Sequence, residues 1–552
     1  MRNLIRFKVA VVFGISILIA VATRFFMLGD APAGIYVDEA AQGWNAYSIL
    51  LTGRDEFGKS FPIVFRSFID FKTPVYIYLL VPLIAIFDLT IFTVRLPSFI
   101  FSLLTIPFLY LLIRDFSPKK IGVTLGLVTV FLLSFSPWHV LFGRTDFETN
   151  VALFFLISGF YFFYRALSKP KWFSVAAILL GVAVPAYHSQ RVITPLLLMV
   201  LSLRYRKQIF NQKGKSYLIA ALILGVLVSL PTIYVMATPG FLARASGLNI
   251  ISAGTPYGYI SDVDGLIGAI VNFKYLLWFQ EFFSLYIAYL TPRNMFNLGD
   301  FGPRSSFPDI ATYFVWQLPF YVYGLYILVK EKSLGELRIF TIAFLLIGPI
   351  PAALTRDPYA SIRALPLVIP QLIVIALGMI YLYKYFRLSR FSLVIHLFGI
   401  AVVIYSLAKL WSSAIILNEH YRGYYWDYGW EQVVQVIKSF DDELPIVIDN
   451  NRFEPYAQIL LFLKHDPATY QRDNFEVHPD QYYTSMSRVR DKKIGKITTR
   501  EINWGRDLMV EQYLIGDELA ISKGQIAEHQ LHLIREVLYP NGDVAYRIVK
   551  TN

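Results

Sequence analysis

The sequence Gly34-Ile-Tyr-Val-Asp-Glu-Ala-Ala-Gln-Gly-Trp-Asn-Ala-Tyr-Ser-Ile-Leu50 follows the first long apolar segment of the chain. It contains two adjacent carboxylates, Asp38 and Glu39. Beyond Asp38, apolar side chains recur on one helical stripe, at Ala41, Trp44, Tyr47 and Leu51. The stretch therefore predicts an amphipathic helix that starts at the two carboxylates, beside the end of the apolar segment.

The composition is that of an integral membrane protein. Of the 552 residues, 56% are hydrophobic and 16% are charged, whereas soluble domains are about 25% charged. The absence of cysteine excludes disulfides, a thiolate nucleophile and a cysteine-based zinc site. A net charge of +12 would suggest nucleic acid as the partner of a soluble protein. Here the basic residues cluster in connections between apolar segments, so we expect no nucleic-acid partner.

Apolar runs of about 20 residues are long enough to span a bilayer. The sequence predicts about eleven spans, of which the fifth and sixth are short: 7–28, 93–113, 120–138, 149–166, 172–186, 190–203, 216–236, 311–329, 338–355, 362–383 and 391–416. Two further apolar runs, Val75–Phe87 and Gly265–Leu290, are ambiguous.

Basic residues in the connections indicate the topology, because they favour the cytoplasmic side. Arg2, Arg6 and Lys8 place the N-terminus in the cytoplasm. Further basic clusters lie at 114–120, 165–171, 204–215, 330–338 and 384–390. All of these clusters lie on the cytoplasmic side if neither ambiguous run crosses the membrane. Val75–Phe87 is therefore predicted to be a surface or re-entrant helix. The result is a multi-pass cell-membrane protein with its C-terminus outside.

The composition changes near residue 418, where charged residues and Asn return. We expect a membrane domain at 1–417, with a first outer loop at 29–92 and a long outer loop at 238–310. Residues 418–552 are expected to form a small extracytoplasmic α/β domain. Its predicted elements are strands at 445–449 and 512–516, a helix at 456–463, and a hairpin of 531–538 with 544–550 around Asn541-Gly542.

With this topology, carboxylates, cations and aromatic residues collect on the outer face. The candidate catalytic residues are Asp38, Glu39, Asp146 and Glu148, and the candidate substrate-binding residues are Lys72, Arg144, Tyr187, His188, Arg191 and Arg363. The long outer loop adds Arg244, Asp262 and Asp264. Cations suit a phosphate, aromatic and polar groups suit a sugar, and an apolar groove suits a lipid tail.

Each candidate also has a purely structural explanation. Asp38 suits a helix N-cap, and Glu39 suits a solvated neighbour of it. Thr73-Pro74 predicts the start of a helix, which makes Lys72 either an anion-binding cation or a lysine that snorkels to the interface. The charges at 143–150 can form an internal set of salt bridges. The co-location of these groups on one side, rather than any single motif, favours a functional site.

Six short motifs stand near predicted spans, at the start of the non-spanning helix or at the entry to the C-terminal domain: Tyr36-Val-Asp-Glu39, Phe71-Lys-Thr-Pro74, Val94-Arg-Leu-Pro97, Gly143-Arg through Glu148, Arg363-Ala-Leu-Pro366 and Trp426-Asp-Tyr-Gly429. This pattern resembles the multi-spanning GT-C glycosyltransferases, and within them the protein O-mannosyltransferase and lipid A aminoarabinose transferase group (glycosyltransferase family 39/83-like). The resemblance covers roughly residues 1–440 in architecture.

The resemblance implies transfer of a sugar from a polyprenyl-phosphate donor to a hydroxyl of a glycan, lipid or protein acceptor outside the cytoplasm. By position, Asp38 is the catalytic base or acceptor-orienting carboxylate, with Glu39 as the alternative. Lys72 and either Arg191 or Arg363 bind the donor phosphate. Arg144 and Glu148 complete the site, and Asp146 competes with Glu148 as the second acid. No metal site is predicted, although a divalent cation is compatible with the superfamily.

Two other functions are compatible with the sequence. A lipid-linked glycan flippase or transporter would place ionisable residues within spans and often contains internal repeats. Here the charges lie at span ends and in loops, which favours the transferase. An outer-face polysaccharide polymerase or ligase would share the phosphate-binding cations but does not need the Asp38-Glu39 pair.

Overall fold

The computed structural model describes residues 2–68, 70–210, 214–238, 265–386, 392–474, 481–484 and 490–552. The loop residues Arg244, Asp262 and Asp264 lie outside these ranges. By its internal contacts the chain divides into two compact units. The helical unit contains Met1–Phe26, Ser98–Gly143 and Phe147–Ser413, and the mixed unit contains Met27–Pro97, Arg144–Asp146 and Ala414–Asn552. The mixed unit thus combines most of the first predicted loop with the C-terminal segment.

The α-helices up to residue 411 are α1 Arg2–Phe25, α2 Val37–Thr52, α3 Pro74–Phe87, α4 Ile91–Phe116, α5 Gly122–Ser134, α6 Pro137–Phe142, α7 Glu148–Ala166, α8 Trp172–Ala186, α9 Gln190–Arg204, α10 Arg206–Phe210, α11 Lys215–Met236, α12 Gly265–Val271, α13 Lys274–Ala288, α14 Leu318–Lys330, α15 Glu336–Ile347, α16 Ile350–Ala353, α17 Ser361–Ala364, α18 Val368–Phe386 and α19 Ser392–Trp411. Each predicted span coincides with one or two of these helices.

Among the described residues, six helical stretches are long and apolar enough to cross a membrane by length and composition. They are Phe7–Phe25, Ile91–Phe116, Lys215–Met236, Glu336–Ala353, Ser361–Phe386 and Ser392–Trp426. The count of eleven spans therefore stays a prediction. The predicted span 311–329 is shortened, since α14 begins only at Leu318 and has 13 residues.

Close helix packing in the helical unit depends on glycine. Helices α14 and α18 pack directly against each other. A Cβ atom on Gly324 would lie 1.9 Å from the carbonyl oxygen of Val374, and one on Gly378 would lie 1.9 Å from that of Phe320. Any larger residue at these two positions would separate the helices, as expected where small residues let helix backbones approach in a membrane.

The remaining elements belong to the mixed unit: α20 Asn418–Arg422, α21 Trp430–Lys438, α22 Tyr456–Leu463, α23 Pro467–Asn474, α24 Trp504–Asp507, α25 Lys523–Glu528, β1 Phe65–Ser67, β2 Asp70–Lys72, β3 Ile446–Ile448, β4 Lys492–Ile494, β5 Ile497–Thr499, β6 Tyr513–Gly516, β7 His532–Leu538 and β8 Val544–Lys550. The predicted C-terminal strands, helix and hairpin are thereby confirmed within one or two residues.

Six strands form one mixed sheet in the order β4-β5-β3-β6-β8-β7. Strand β3 pairs in parallel with β5 and β6, and the other neighbours are antiparallel. Separately, β1 and β2 form a short antiparallel hairpin in the first loop. Helix α2 packs against α3 and against α22 and α23 of the C-terminal segment. This packing places the start of α2 next to residues far away in sequence.

Candidate active site

Helix α2 carries Asp38 and Glu39 in its first turn. Its N-cap is Tyr36, whose backbone is extended (φ −63°, ψ 146°), and Val37 is the first helical residue. The alternative of Asp38 as the N-cap is therefore wrong, because Asp38 already lies inside the helix. Asp38 remains at the N-terminal end, where the orphan N–H groups and the helix dipole favour negative charge.

A residue of the C-terminal segment, Asp427, anchors the start of this helix. The Val37 N–H donates to Asp427 Oδ2 at 2.9 Å, and the Gln458 side-chain amide donates to the same oxygen at 3.0 Å. Gly34 permits this approach, since a Cβ atom there would lie 2.4 Å from the carbonyl oxygen of Trp426. The C-terminal segment therefore fixes the position from which Asp38 projects.

Glu39 forms a buried ion pair with Arg95. The two guanidinium contacts are Nη2 to Oε2 at 3.0 Å and Nε to Oε1 at 3.2 Å, and neither side chain is exposed. Glu39 also accepts the backbone N–H of Tyr36 at 3.2 Å and that of Asp146 at 2.8 Å. Both carboxylate oxygens are thus occupied, as a buried charge requires.

Arg95 also donates to three backbone carbonyls that precede α2. Its Nη groups lie 3.4 Å from the oxygen of Leu28, 3.0 Å from that of Pro32 and 2.7 Å from that of Gly34. The Glu39–Arg95 pair therefore connects residues 28–36, the first turn of α2 and the segment 144–146. These contacts hold the backbone around the start of α2 in a fixed position.

Asp38, by contrast, is accessible. Its Oδ1 lies 3.0 Å from Lys72 Nζ, and the exposed fractions of the two side chains are 38% for Asp38 and 11% for Lys72. Lys72 Nζ also donates to the backbone oxygen of Asp38 at 3.1 Å and lies 5.2 Å from the centre of the Phe68 ring. Successive helical residues project about 100° apart, so one carboxylate is buried and its neighbour faces outward.

Arg144 and Asp146 lie in the same unit as this pair. Arg144 Nη2 donates to the backbone oxygens of Met27 at 3.2 Å and Ala31 at 2.9 Å. Burial, together with the nearby positive charge of Arg95, lowers the pKa of Arg144 to about 9. Arg144 therefore stays protonated at neutral pH. Asp146 is buried and its backbone N–H donates to Glu39, so this segment is attached to the start of α2.

The other candidates belong to the helical unit. Glu148 begins α7, Tyr187 and His188 precede α9 with their rings 5.9 Å apart, and Arg191 lies in the first turn of α9. Arg363 lies in α17, and its Nη1 contacts Asp357 Oδ2 at 3.2 Å and Thr355 Oγ1 at 3.0 Å. The structure thus groups Asp38, Glu39, Lys72, Arg144 and Asp146 in the mixed unit. The other five candidates belong to the helical unit: Glu148, Tyr187, His188, Arg191 and Arg363.

No role was predicted for Arg95 or Asp427, although both belong to the six short motifs of the sequence. An arginine inside an otherwise apolar segment needs a counter-charge when it is buried, and Glu39 supplies it. An arginine in this position is therefore a sequence signal for a buried acidic partner. Asp427 carries no comparable signal, because its partner is a backbone N–H 390 residues away.

Two further carboxyls, Asp55 and Glu56, are buried in the first loop. Asp55 Oδ2 accepts the Tyr482 hydroxyl at 2.5 Å, and Glu56 Oε2 accepts the Tyr456 hydroxyl at 3.2 Å. Burial raises the pKa of Asp55 from 3.8 to about 6 and that of Glu56 from 4.5 to about 7. Their partners again belong to the C-terminal segment.

These two carboxyls predict a pH-dependent stability. Because burial raises both pKa values, these two carboxyls bind protons more tightly in the folded than in the unfolded chain. Their contribution to stability is therefore fully present below about pH 4 and is lost as the pH rises through 6 to 7. Each carboxyl contributes about 3 kcal/mol to this fall. We expect these carboxyls to raise the melting temperature at pH 5 relative to pH 8, and Glu56→Gln to remove roughly two-thirds of that difference, because Glu56 has the higher pKa. An equal difference in wild type and Glu56→Gln would contradict the assignment.

Within the residues that the structure describes, no group of three or more His, Asp or Glu side chains has a metal-binding arrangement. A divalent cation therefore stays a prediction of the resemblance.

The comparisons with known proteins agree with the fold. A model of the dolichyl-phosphate-mannose-protein mannosyltransferase family matches residues 71–234. No curated protein sequence matches the chain. Among solved structures, ArnT from Cupriavidus metallidurans bound to undecaprenyl phosphate is similar over 98% of both chains, with 12% identity and a TM-score of 0.53.

A second similar structure is the archaeal oligosaccharyltransferase AglB from Archaeoglobus fulgidus, in complex with an inhibitory peptide and a dolichol-phosphate. It matches over 98% of this chain and 74% of its own, with 14% identity and a TM-score of 0.50. The fold is that of the GT-C superfamily of multi-pass membrane glycosyltransferases, as the resemblance predicted. The predicted mainly helical class with a small C-terminal sheet domain is also confirmed, while the orientation of the termini stays a prediction.

Proposed function

We propose that the protein transfers a sugar from a lipid-phosphate donor to an acceptor hydroxyl, with Asp38 as the general base and Lys72 as a cation for the leaving phosphate. The GT-C fold supports this reaction class. The two similar structures, in complex with undecaprenyl phosphate and dolichol-phosphate, support a polyprenyl-phosphate carrier. We place the reaction on the extracytoplasmic side, in agreement with the predicted topology.

The accessible Asp38–Lys72 pair is the observation that carries the proposal. It stands at the N-terminal end of α2, directly beside the fully buried Glu39–Arg95 pair. A general base must reach a substrate proton within hydrogen-bond distance, and the Asp38 side chain is exposed enough for that. Glu39 makes four contacts with Arg95 and two backbone N–H groups, so we assign it a positioning role.

In the proposed step, an acceptor hydroxyl gives its proton to Asp38 as its oxygen bonds to the anomeric carbon of the donor sugar. The bond from that carbon to the phosphate oxygen breaks, and its electron pair leaves with the polyprenyl phosphate. A lysine ammonium has three N–H donors, of which two contact Asp38 Oδ1 and the Asp38 backbone oxygen. The third can donate to the phosphate as its negative charge grows.

The remaining assignments support this step in different ways. Arg144 connects its segment to the backbone of Met27 and Ala31, and Asp146 connects it to Glu39 at the start of α2. We therefore propose that both residues shape the site rather than react. The substrate-binding roles of Tyr187, His188, Arg191 and Arg363, and the catalytic role of Glu148, stay predictions from the resemblance.

The test uses detergent-purified protein with a panel of radiolabelled polyprenyl-phosphate sugars and a membrane extract as the source of acceptor. We expect one donor to yield free polyprenyl phosphate and labelled acceptor in equal amounts, only when the extract is present. The productive sugar would identify the donor. Folded protein that binds these lipids but releases no polyprenyl phosphate with any sugar would contradict the transferase and favour transport of the lipid-linked sugar.

A further inference from the structure

The helical unit contains a cavity of about 630 Å³ at the junction of α9 and α15. The two helices pack directly against each other. The wall of the cavity is aliphatic and is formed by Val200, Ile339, Ile342, Ala343, Leu346 and Ile347. Its charged lining residues are Arg204, Lys332, Glu336 and Arg338. We call this cavity the α9–α15 groove.

The charged groups lie at one end of the groove. Arg204 is the last residue of α9 and Glu336 is the first residue of α15, and the two side chains form an ion pair. The aliphatic wall runs along α15 from there. Arg338 and Ile347 are nine residues apart, which corresponds to about 14 Å of helix. The groove therefore has a polar end and a long apolar end, like an amphiphile.

The polar end carries an excess of positive charge. Three cations, Arg204, Lys332 and Arg338, oppose one carboxylate, which leaves a net charge of +2. Glu336 is already engaged by Arg204 and by the Tyr205 hydroxyl at 2.7 Å. Within the described part of the chain, Lys332 and Arg338 form no ion pair with a carboxylate. Two cations are thus available to an anion at this end.

The position of the groove indicates which anion. Helix α15 belongs to Glu336–Ala353, one of the stretches long and apolar enough to cross a membrane. Both basic connections at the polar end, 204–215 and 330–338, are predicted to face the cytoplasm. Anionic lipids of the cytoplasmic leaflet attract such basic residues. A soluble anion would leave the aliphatic wall unused.

We propose that the α9–α15 groove binds an anionic phospholipid, with its phosphate against Lys332 and Arg338 and one acyl chain along Ile339–Ile347. The site shares no residue with the proposed active site and does not depend on the proposed transfer. It gives the protein a preference for a membrane leaflet that contains anionic phospholipid.

Native mass spectrometry of the full-length protein in detergent tests this site with phosphatidylglycerol and phosphatidylcholine of equal chain length. We expect phosphatidylglycerol to bind more tightly, and Lys332→Gln/Arg338→Gln to bind it about 30-fold more weakly, as expected for two cations at a lipid surface. Lys119→Gln/Lys120→Gln is the matched control, because it removes the same charge from another exposed basic connection. The control should bind like wild type.

A second variant tests the acyl chain. Ala343→Phe adds bulk to the aliphatic wall and should weaken binding of both phospholipids while retaining the preference for phosphatidylglycerol. If Lys332→Gln/Arg338→Gln and Lys119→Gln/Lys120→Gln lost the same affinity for phosphatidylglycerol, the result would overturn the proposal in favour of non-specific surface charge. Equal affinity for the two phospholipids would overturn it as well, as would binding of glycerol phosphate as tightly as of the intact lipid, or displacement of the lipid by a polyprenyl phosphate.

Discussion

Asp38→Asn is expected to lower the turnover of sugar transfer by about 10²- to 10⁴-fold, the usual contribution of a general base. The amide keeps the shape of the side chain but cannot accept the hydroxyl proton. Because Asp38 is accessible and its neighbour Glu39 supplies the buried structural charge, the variant should fold and bind donor normally. Initial rates of polyprenyl phosphate release, at saturating donor and acceptor, measure the effect.

The chain offers a matched control for this substitution. Asp88 and Lys464 form another ion pair in the mixed unit, and the exposed fractions of their side chains are 59% and 41%. Asp88→Asn removes the same charge from an acid of the same loop and should leave turnover unchanged. Asp38→Glu should recover part of the activity, since it restores the base one methylene further out. An Asp38→Asn enzyme of normal turnover would remove Asp38 from the chemistry.

Glu39→Gln is expected to destabilise the protein by about 3–5 kcal/mol, the usual cost of removing one partner from a buried ion pair. The substitution leaves the Arg95 guanidinium buried without its counter-charge. The contacts from Arg95 to residues 28–34 and from Glu39 to Tyr36 and Asp146 depend on the same geometry. Thermal melting of the detergent-purified variant should show a clearly lower Tm than wild type.

Two comparisons separate this effect from a general loss of charge. Asp88→Asn should change stability by less than about 1 kcal/mol, because its ion pair with Lys464 is exposed. Arg95→Lys should lower the Tm as well, because a lysine cannot reproduce the forked contacts of the guanidinium. A Glu39→Gln protein as stable as wild type would show that the buried pair does not stabilise the start of α2.

Regular elements were predictable from local patterns. The helix Tyr456–Leu463 and the strand Val544–Lys550 appear with the predicted bounds, because each is an apolar segment between polar turn residues. The Asn541-Gly542 turn closes its hairpin, with Gly542 at φ 93° and the Tyr539 N–H on the Asp543 oxygen at 2.8 Å. The start of α3 at Pro74, after Thr73, follows from the same local chemistry.

The different environments of Asp38 and Glu39 were not predictable. Both acids are adjacent in one helical turn, and their difference depends on partners at Lys72 and Arg95, which are 34 and 56 residues away. The anchoring of α2 by Asp427 and the burial of Asp55 and Glu56 depend on contacts that span about 400 residues. Local periodicity contains no information about such pairings.

We propose that Asp38 reacts whereas Glu39 holds the start of α2 in position, and one paired measurement tests this difference most directly. Turnover at a temperature where both variants are folded, and Tm, are determined side by side for Asp38→Asn and Glu39→Gln. We predict that Asp38→Asn loses about 10²-fold or more in turnover with an unchanged Tm, and that Glu39→Gln loses several degrees in Tm while retaining most of its turnover. The reverse result, with Glu39→Gln inactive but stable and Asp38→Asn active, would contradict the account.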